Sequence, residues 1–279
     1  RLGKTGRRAL ASVVATFMML AVAVAVPASA GAAGEAAQVI RSIPNPTRRD
    51  FVIHRFSTAI GVDEVLSYVP SHWQETTQNR GTTTWSDFVA EVCAGQPATP
   101  DLDLPFWKNH HLPTIVRTWS AVAGEGNVTL VTIPSTGTGS VWERFASVIG
   151  VPADQAVEPS FGNAALGAHS AELMRRLNQR VADLEFEEYR RGFKVGLAKH
   201  GLADRADKEP RTSLSPDQHA WLRDAAVAMV SQLRETGVRV VGDLDDLVGP
   251  LEPRGPALDP AASTDGELLD AALDGLAIL

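Results

Sequence analysis

Short runs of apolar residues predict two buried β-strands. Residues 127–133 are mostly β-branched and lie between Gly126 and Pro134, residue types that commonly bound a strand. Residues 238–241 form a second apolar run, and residues 52–53 are a weaker third candidate. Because these runs are shorter than a typical helix, we interpret them as strands of a buried sheet.

Helix-start signals mark several helices between these strands. Ser140 and Glu143 have the spacing of a capping box and open a helix that ends at Gly150. Ser215 and Gln218 have the same spacing, with a proline at the first helical position. These pairs predict two helices whose first turns have their free N–H groups satisfied by side chains.

Apolar residues three or four positions apart predict the buried faces of two helices. The helix after Ser215 and a long candidate over residues 165–190 each carry one such stripe. The stripes are Leu222, Ala225, Met229 and Leu233 in the first, and Leu173, Leu177, Val181 and Leu184 in the second. Thr84 is a candidate N-cap, and residues 265–279 are a candidate short helix. Helices that alternate with short buried strands indicate an α/β layer.

Composition narrows the class of protein. Of the 279 residues, 44% are hydrophobic and 21% charged, and the formal net charge is -7. These values are typical of a soluble globular chain and give no support to a nucleic-acid partner. Cys93 is the single cysteine, which excludes an internal disulfide and Cys-x-x-Cys metal or redox motifs. We interpret Cys93 as a small buried apolar residue rather than a nucleophile.

The first 30 residues have the order of a secretory signal peptide. Basic residues precede an apolar run over residues 9–26, and a small-residue cleavage pattern ends at Ala30. An uncleaved membrane anchor is one alternative, because the run is near the length of a bilayer span. The other alternative is out-of-frame sequence, because a GC-rich gene translated in the wrong frame also gives stretches rich in alanine, valine and arginine. A genuine signal implies a secreted or membrane-anchored protein; otherwise we expect a cytoplasmic one.

Four parts of the chain differ in composition. Residues 1–30 are the signal-like or out-of-frame segment, and residues 31–50 are a predicted disordered linker. Residues 51–250 form the predicted globular domain. Residues 251–279 are a tail rich in proline, glycine, alanine and aspartate.

An ordered set of motifs runs through the globular part. In chain order it comprises P-S-H-W-Q-E at 70–75, F-W at 106–107, L-P-T-I-V-R-T-W at 112–119, V-T-L-V-T-I-P at 128–134, W-E-R-F-A-S-V-I-G at 142–150, N-A-A-L-G at 163–167, E-L-M-R-R-L-N at 172–178 and V-V-G-D-L-D-D-L at 240–247. This set resembles the bacterial sulfotransferases that use 3′-phosphoadenosine 5′-phosphosulfate (PAPS). The resemblance covers roughly two thirds of the chain.

The resemblance implies an α/β fold: an incomplete P-loop-NTPase-like parallel sheet flanked by helices. It implies sulfuryl transfer from PAPS to a hydroxyl or amine of a small-molecule or glycan acceptor, without a metal. The family holds the phosphosulfate with a P-K-T-G-T-T loop, whose N–H groups and lysine offset the charge of the leaving group. The matching residues here are Lys4, Thr5 and Gly6. Ser71 matches the serine that, eight residues after an arginine, holds the 3′-phosphate.

Several positions depart from the family's pattern. Asp63 stands where the 3′-phosphate arginine belongs, and Phe161 replaces a second arginine. A carboxylate at the first position repels a phosphate. Lys4-Thr5-Gly6 has no strand before it and is followed by two arginines. We therefore expect weak or absent PAPS binding, and we expect Ser71, if its role is only structural, to cap or begin a helix.

Other residues of chemical interest have simpler interpretations. We interpret His110 and His111 as a solvated or hydrogen-bonded loop pair rather than metal ligands or a general base. The S-T-G-T-G-S loop at 135–140 lacks the lysine of a phosphate-binding loop. The acidic group Asp243, Asp245 and Asp246 fits a short amphipathic turn better than a calcium site. The tryptophans are interpreted as core residues: Trp73, Trp85, Trp107, Trp119, Trp142 and Trp221.

Three functional hypotheses follow from the sequence. The first is a sulfotransferase-family protein that is impaired or inactive. The second is a secreted or membrane-tethered binding protein that keeps the scaffold without catalysis. The third is a truncated product without stable function, in which lost strands would expose a sheet edge and apolar surface. We expect no nucleic-acid partner. We expect contact with a membrane only through the N-terminal apolar segment.

Overall fold

A computed structural model describes residues 58–62, 64–124, 126–134, 140–150, 152–155, 165–251 and 256–278. The strands are β1 (Thr58–Val62), β2 (Gly95–Gln96), β3 (Thr99–Pro100), β4 (Val128–Thr132) and β5 (Arg239–Val241). The candidate strand at residues 52–53 lies outside this described part.

Helices make up most of the described chain. The α-helices are α1 (Val65–Gln78), α2 (Trp85–Val92), α3 (Pro105–His110), α4 (Leu112–Ala123), α5 (Val141–Ile149), α6 (Ala168–Arg180), α7 (Phe186–Tyr189), α8 (Pro216–Glu235) and α9 (Asp265–Ile278). A π-helix follows α7 over Arg190–Gly201, and short 3₁₀ helices cover Ala153–Gln155, Ala203–Arg205, Leu244–Leu247 and Pro260–Ala262. The fold is therefore mixed α/β, with many helices and few strands.

Parallel strands form the larger sheet, in the order β1-β4-β5. In the register of β1 with β4, Thr58 lies opposite Val128 and Val62 opposite Thr132. In the register of β4 with β5, Thr129 lies opposite Arg239. All five residues of β4 are buried, as expected for a central strand covered on both faces. β2 and β3 form a separate antiparallel hairpin that the sequence did not predict.

Backbone contacts divide the chain into two compact units. The first unit holds the described residues within 1–64, 109–162 and 226–249, and the second those within 65–108, 163–225 and 250–279. The apolar core of the first unit surrounds β4 and comprises Leu112, Val116, Ala123, Val128, Leu130, Val230, Leu233, Leu244 and Leu247. Both predicted strands, at 127–133 and 238–241, are confirmed as β4 and β5, and they belong to this unit.

Aromatic side chains dominate the core of the second unit. Trp73 and Trp107 are fully buried. Trp73 packs edge-on against Trp85 with ring centroids 5.6 Å apart, and Trp107 lies 6.1 Å from Trp221. The indole N–H of Trp107 donates to the carbonyl of Val92 at 2.8 Å, so its polar atom is satisfied inside the core. The interpretation of Trp73, Trp85 and Trp107 as core residues is confirmed.

The predicted helix starts agree with the structure. Ser140 and Glu143 form a reciprocal capping box on α5, which ends at Gly150 in the left-handed conformation. At the start of α8 the Ser215 N–H donates to Gln218 at 2.8 Å, and the Gln218 N–H donates to the Ser215 hydroxyl at 3.3 Å. The Thr84 side chain accepts from the N–H of Asp87 and caps α2. The helix predicted over 265–279 is α9.

The long helix predicted over residues 165–190 is wrong in length and in its buried face. α6 ends at Arg180, and a short irregular stretch separates it from α7. Leu173 and Leu177 are only partly buried, whereas Glu172 and Arg175 of the same helix are buried. The apolar stripe therefore did not identify the inner face of α6. That face includes the charged residues Glu172 and Arg175, which can be buried because they form an ion pair.

Leu130 lies at the centre of β4 and is fully buried. We expect Leu130→Ala to lower the free energy of unfolding by about 2–5 kcal/mol, because it leaves a cavity in a packed core. Val122→Ala, at a position 65% exposed on α4, should change stability by less than about 0.5 kcal/mol. Urea unfolding of both variants and the parent measures the difference, and similar values for the two would contradict the assigned core.

Candidate functional site

Parallel strands bring their carboxyl ends to one edge of the sheet, where ligands of α/β proteins commonly bind. In the first unit β1 and β4 end opposite each other, since Val62 pairs with Thr132. Glu64 follows β1 and is 4% exposed. Gly242 and Asp243 follow β5. This edge is therefore the candidate functional site in the described part of the first unit.

Arg144 of α5 is the centre of a polar cluster at this edge. Its Nη1 donates to the backbone carbonyl of Thr132 at 2.9 Å, to the Thr132 hydroxyl at 2.7 Å and to Oδ2 of Asp246 at 2.7 Å. The Thr132 hydroxyl in turn donates to Asp246 at 2.8 Å. The side chains of Arg144 and Asp246 are only 19% and 12% exposed, so this ion pair is largely shielded from water.

Local sequence explains why these groups meet. The capping box of Ser140 fixes the start of α5, which places Arg144 one turn later beside the end of β4. Asp243 caps the 3₁₀ helix Leu244–Leu247 through the N–H of Asp245, and this turn carries Asp246. Leu244 and Leu247 are buried. The prediction of a short amphipathic turn is thus confirmed, although Asp246 faces Arg144 rather than solvent.

Gly242 is required by the close approach of this turn to β4. Its φ of +108° is disfavoured for residues with a side chain, and an added Cβ would overlap the Thr132 hydroxyl and the Arg144 guanidinium. The glycine therefore allows the turn after β5 to close onto the cluster. The N–H of Asp243 donates to the Thr132 hydroxyl at 3.1 Å as a result.

The charge of this edge does not favour an anion. The guanidinium of Arg144 is engaged by Asp246, while Asp243 and Asp245 are exposed and Glu64 is a buried acidic residue. Arg234 pairs with Asp245 at 2.7 Å. A phosphate entering here would meet more carboxylates than available cations among the described residues, and carboxylates repel it.

Ser71, the residue matched to the 3′-phosphate serine, lies inside α1 in the second unit. It is exposed, and it follows Pro70, which is also within the helix. The expectation that Ser71 caps or begins a helix is wrong, because α1 begins at Val65. Lys4, Thr5, Gly6, Asp63 and Phe161 lie outside the described residues.

The second unit contains an open cavity of about 440 Å³. Its lining comprises Ala165, Leu166, Ala203, Asp204, Ala206, Asp207 and Arg211, and Ser71 is not part of it. The wall at Leu166 is fixed by Gln74, whose amide nitrogen donates to the Leu166 carbonyl at 2.9 Å. Two carboxylates and one guanidinium line the cavity. This cavity is therefore not an anion-binding pocket beside Ser71.

Two histidines, His72 and His111, contact neighbouring side chains. His111 is 5% exposed at the start of α4, and its Nδ1 is 2.8 Å from the Thr114 hydroxyl. Burial, with the charge of Arg117, lowers the pKa of His111 and so favours its neutral form. His72 stacks on Phe88 with ring centroids 5.8 Å apart, and burial lowers its pKa as well. The interpretation of His111 as hydrogen-bonded is confirmed, but the pair does not form a loop, because His110 is the last residue of α3 and His111 is the N-cap of α4.

Cys93 and the acidic residues offer no reactive centre in the described part. Burial raises the pKa of the Cys93 thiol to about 12, so the nucleophilic thiolate is scarcely populated near neutrality. Within the described residues, no group of three or more His, Cys, Asp or Glu side chains is placed to hold a metal ion. Asp243, Asp245 and Asp246 act as a cap and as ion-pair partners.

Several ionic groups that are shielded from water among the described residues were not predicted from the sequence, and two of them lie on the motifs. One is the Arg144–Asp246 pair; the other is Glu172, which accepts from Arg175 at 2.7 Å and from Arg176 at 2.8 Å. Burial raises the pKa of Glu172, but hydrogen bonds and charge from both arginines outweigh it and lower the pKa overall. The W-E-R-F, E-L-M-R-R and V-V-G-D-L-D-D-L motifs contain these residues, yet spacing alone does not show that they face inwards.

The sequence was compared with protein-family models and curated proteins, and the chain with solved structures; none of the three comparisons gives a match. In the part of the chain that the structure describes, no helix has both the length and the apolar character needed to cross a bilayer.

The shielded pair Arg144–Asp246 should contribute more to stability than an exposed pair. We expect a double-mutant cycle with Arg144→Ala and Asp246→Ala to give a coupling energy of about 1–2 kcal/mol, because charged hydrogen bonds are lost inside the fold. The matched control is Arg234 with Asp245, which are 56% and 69% exposed and should couple by about 0.5 kcal/mol or less. Equal coupling in the two cycles, measured by urea unfolding, would contradict the assigned role of Arg144.

Proposed function

We propose that this chain is a sulfotransferase-family protein whose transfer of the sulfuryl group from PAPS to a hydroxyl or amine acceptor is impaired or lost. The observation that carries the proposal is the ordered motif set together with the elements on which it falls. The V-T-L-V-T-I-P motif spans the central strand β4, and the V-V-G-D-L-D-D-L motif spans the end of β5 and the turn after it. The P-S-H-W-Q-E motif lies on α1, the helix that follows β1.

A P-loop-like architecture is consistent with this placement. Parallel β1, β4 and β5, with helices between them along the chain, are what such a fold requires of its sheet. The family-level fold and its activity remain part of this proposal and are supported by the motif order.

The electrostatics of the described residues support impairment. Sulfuryl transfer needs cations and N–H groups around the phosphosulfate, because the bridging oxygen leaves with negative charge. Arg144, at the carboxyl edge of the sheet, is already paired with Asp246. Asp204 and Asp207 outnumber Arg211 in the cavity of the second unit. The described residues therefore do not fit PAPS.

Position 63 offers a sharp test, because the family pattern places an arginine there. Adenosine 3′,5′-bisphosphate, which carries the same 3′-phosphate as PAPS and is stable in solution, is titrated calorimetrically into the parent chain, Asp63→Ala and Asp63→Arg. We expect no micromolar binding by the parent, and affinity rising from the parent through Asp63→Ala to Asp63→Arg, as repulsion is removed and attraction added. Each of the two steps should be about tenfold or less.

Two outcomes would contradict the proposal in different ways. Micromolar binding of the bisphosphate or of PAPS by the parent chain would refute impairment. No change in affinity across the three proteins would refute the assignment of position 63 to the 3′-phosphate site. Phe161→Ala serves as the matched control, because it removes a side chain at the other departing position without adding charge.

A second candidate is a secreted or membrane-tethered binding protein on the same scaffold, without catalysis. The signal-like order of residues 1–30, basic then apolar then small, favours it. We expect the mature protein, expressed from its full gene, to begin just after Ala30 and to be recovered outside the cytoplasm. Mass spectrometry of the N-terminal peptide decides, and a mature N-terminus upstream of Arg1 would count against this candidate.

A further inference from the structure

Helix α9 presents an apolar stripe to solvent. Leu269, Leu273 and Leu276 are 60%, 58% and 66% exposed. Their spacing of four and three residues places them on one face of the helix. Leucines scattered singly on a surface need no explanation, whereas an aligned set on one helical face forms the kind of contiguous apolar surface that interaction sites have.

The exposure of this leucine stripe is not due to a poorly docked helix. The opposite face of α9 is buried through Leu268 and Ala271. Gly275 approaches the π-helix so closely that a Cβ on Gly201 would lie 3.0 Å from the Gly275 carbonyl oxygen. The leucine stripe is therefore held outwards by a helix whose inner face is already packed.

Polar contacts fix the helix further. Thr264 caps its start, since the Thr264 N–H donates to Glu267 at 2.7 Å and the Glu267 N–H donates to the Thr264 hydroxyl at 3.3 Å. Arg205 bonds to Asp270 at 2.9 Å and also to Asp274. These contacts preorganise the stripe, which lowers the entropy cost of binding.

The charge around the leucine stripe is negative. α9 contains four carboxylates, Asp265, Glu267, Asp270 and Asp274, and no lysine or arginine. Among the described residues, the basic side chains within 4.0 Å of these carboxylates are Arg176, Arg205 and His169, the last 3.6 Å from Glu267. Both arginines are shared with other carboxylates, Arg176 with Glu172 and Arg205 with Glu209. Acidic charge therefore remains uncompensated beside the leucines.

We propose that α9 is a docking surface for a basic amphipathic helix of a partner protein, which lays its apolar face on Leu269, Leu273 and Leu276 and its lysines or arginines against the flanking aspartates. Helix pairing through anchors at such spacings is a recurring mode of recognition. Opposite charges at the rim steer and select the partner. This inference is independent of the proposed sulfotransferase origin.

The same charges argue against two other occupants. A second copy would bring an identical acidic α9 against the first, and like charges in contact are unfavourable. An anionic membrane surface would be repelled by the same carboxylates, whereas interfacial helices carry lysine and arginine on their polar face. A basic amphipathic helix satisfies both the apolar and the charged features.

The test uses the full chain and two synthetic helical peptides. Both peptides carry leucines at positions i, i+4 and i+7; one has lysines on the flanks and the other has glutamates. Binding is followed by fluorescence anisotropy of the labelled peptide at low and high salt. We expect saturable binding of the lysine peptide that weakens as salt rises, and no saturable binding of the glutamate peptide.

Variants separate the leucine stripe from general acidity. The double variant Leu269→Gln/Leu273→Gln should bind the lysine peptide at least about tenfold more weakly. Val122→Gln, at an exposed apolar position elsewhere, should stay within about twofold of the parent. Because all three side chains are exposed, both variants should retain the parent's circular dichroism and unfolding midpoint.

Several results would overturn the proposal. These are equal binding of the two peptides, no saturable binding of the lysine peptide, or unchanged affinity in the double variant. Light scattering that shows a dimer abolished by the double variant would assign the stripe to a second copy instead. Co-sedimentation with phosphatidylserine vesicles that the double variant abolishes would assign it to a membrane.

Discussion

Burial of strand β4 is the constraint on which the first unit depends. The strand is hydrogen-bonded on one side to β1 and on the other to β5, and all of its residues are buried. A parallel sheet of this kind needs helices against it, because neither face can be left to water. The leucines and valines of α4, α8 and the turn after β5 supply that cover.

Several charged side chains that are shielded from solvent are paired with one another among the described residues. In the first unit Arg144 joins the end of β4 to the turn after β5. In the second, Glu172 gathers Arg175 and Arg176, while Arg205 links Glu209 to α9. Each of these guanidiniums has a carboxylate partner, as shielded charges require. Cations engaged in this way are less available to bind an anion.

A packed scaffold and an anion-binding site make separate demands on a sequence. Central strand, flanking helices and capped helix starts satisfy the first demand through packing and backbone hydrogen bonds. The second demands particular charges at particular points, and the aspartates at the carboxyl edge of the sheet do not supply them. An exposed leucine stripe on a well-anchored α9 adds a surface suited to protein contact.

Local signals in the sequence determined the parts that depend on neighbouring residues. The boxes at Ser140 and Ser215 and the β-branched run of β4 act over a few positions, so they could be predicted. The inward face of α6 and the pairing of Arg144 with Asp246 could not be predicted in this way. Each depends on which distant segment packs alongside, and only the tertiary structure decides that, because a charged side chain is stable inside only where its partner arrives.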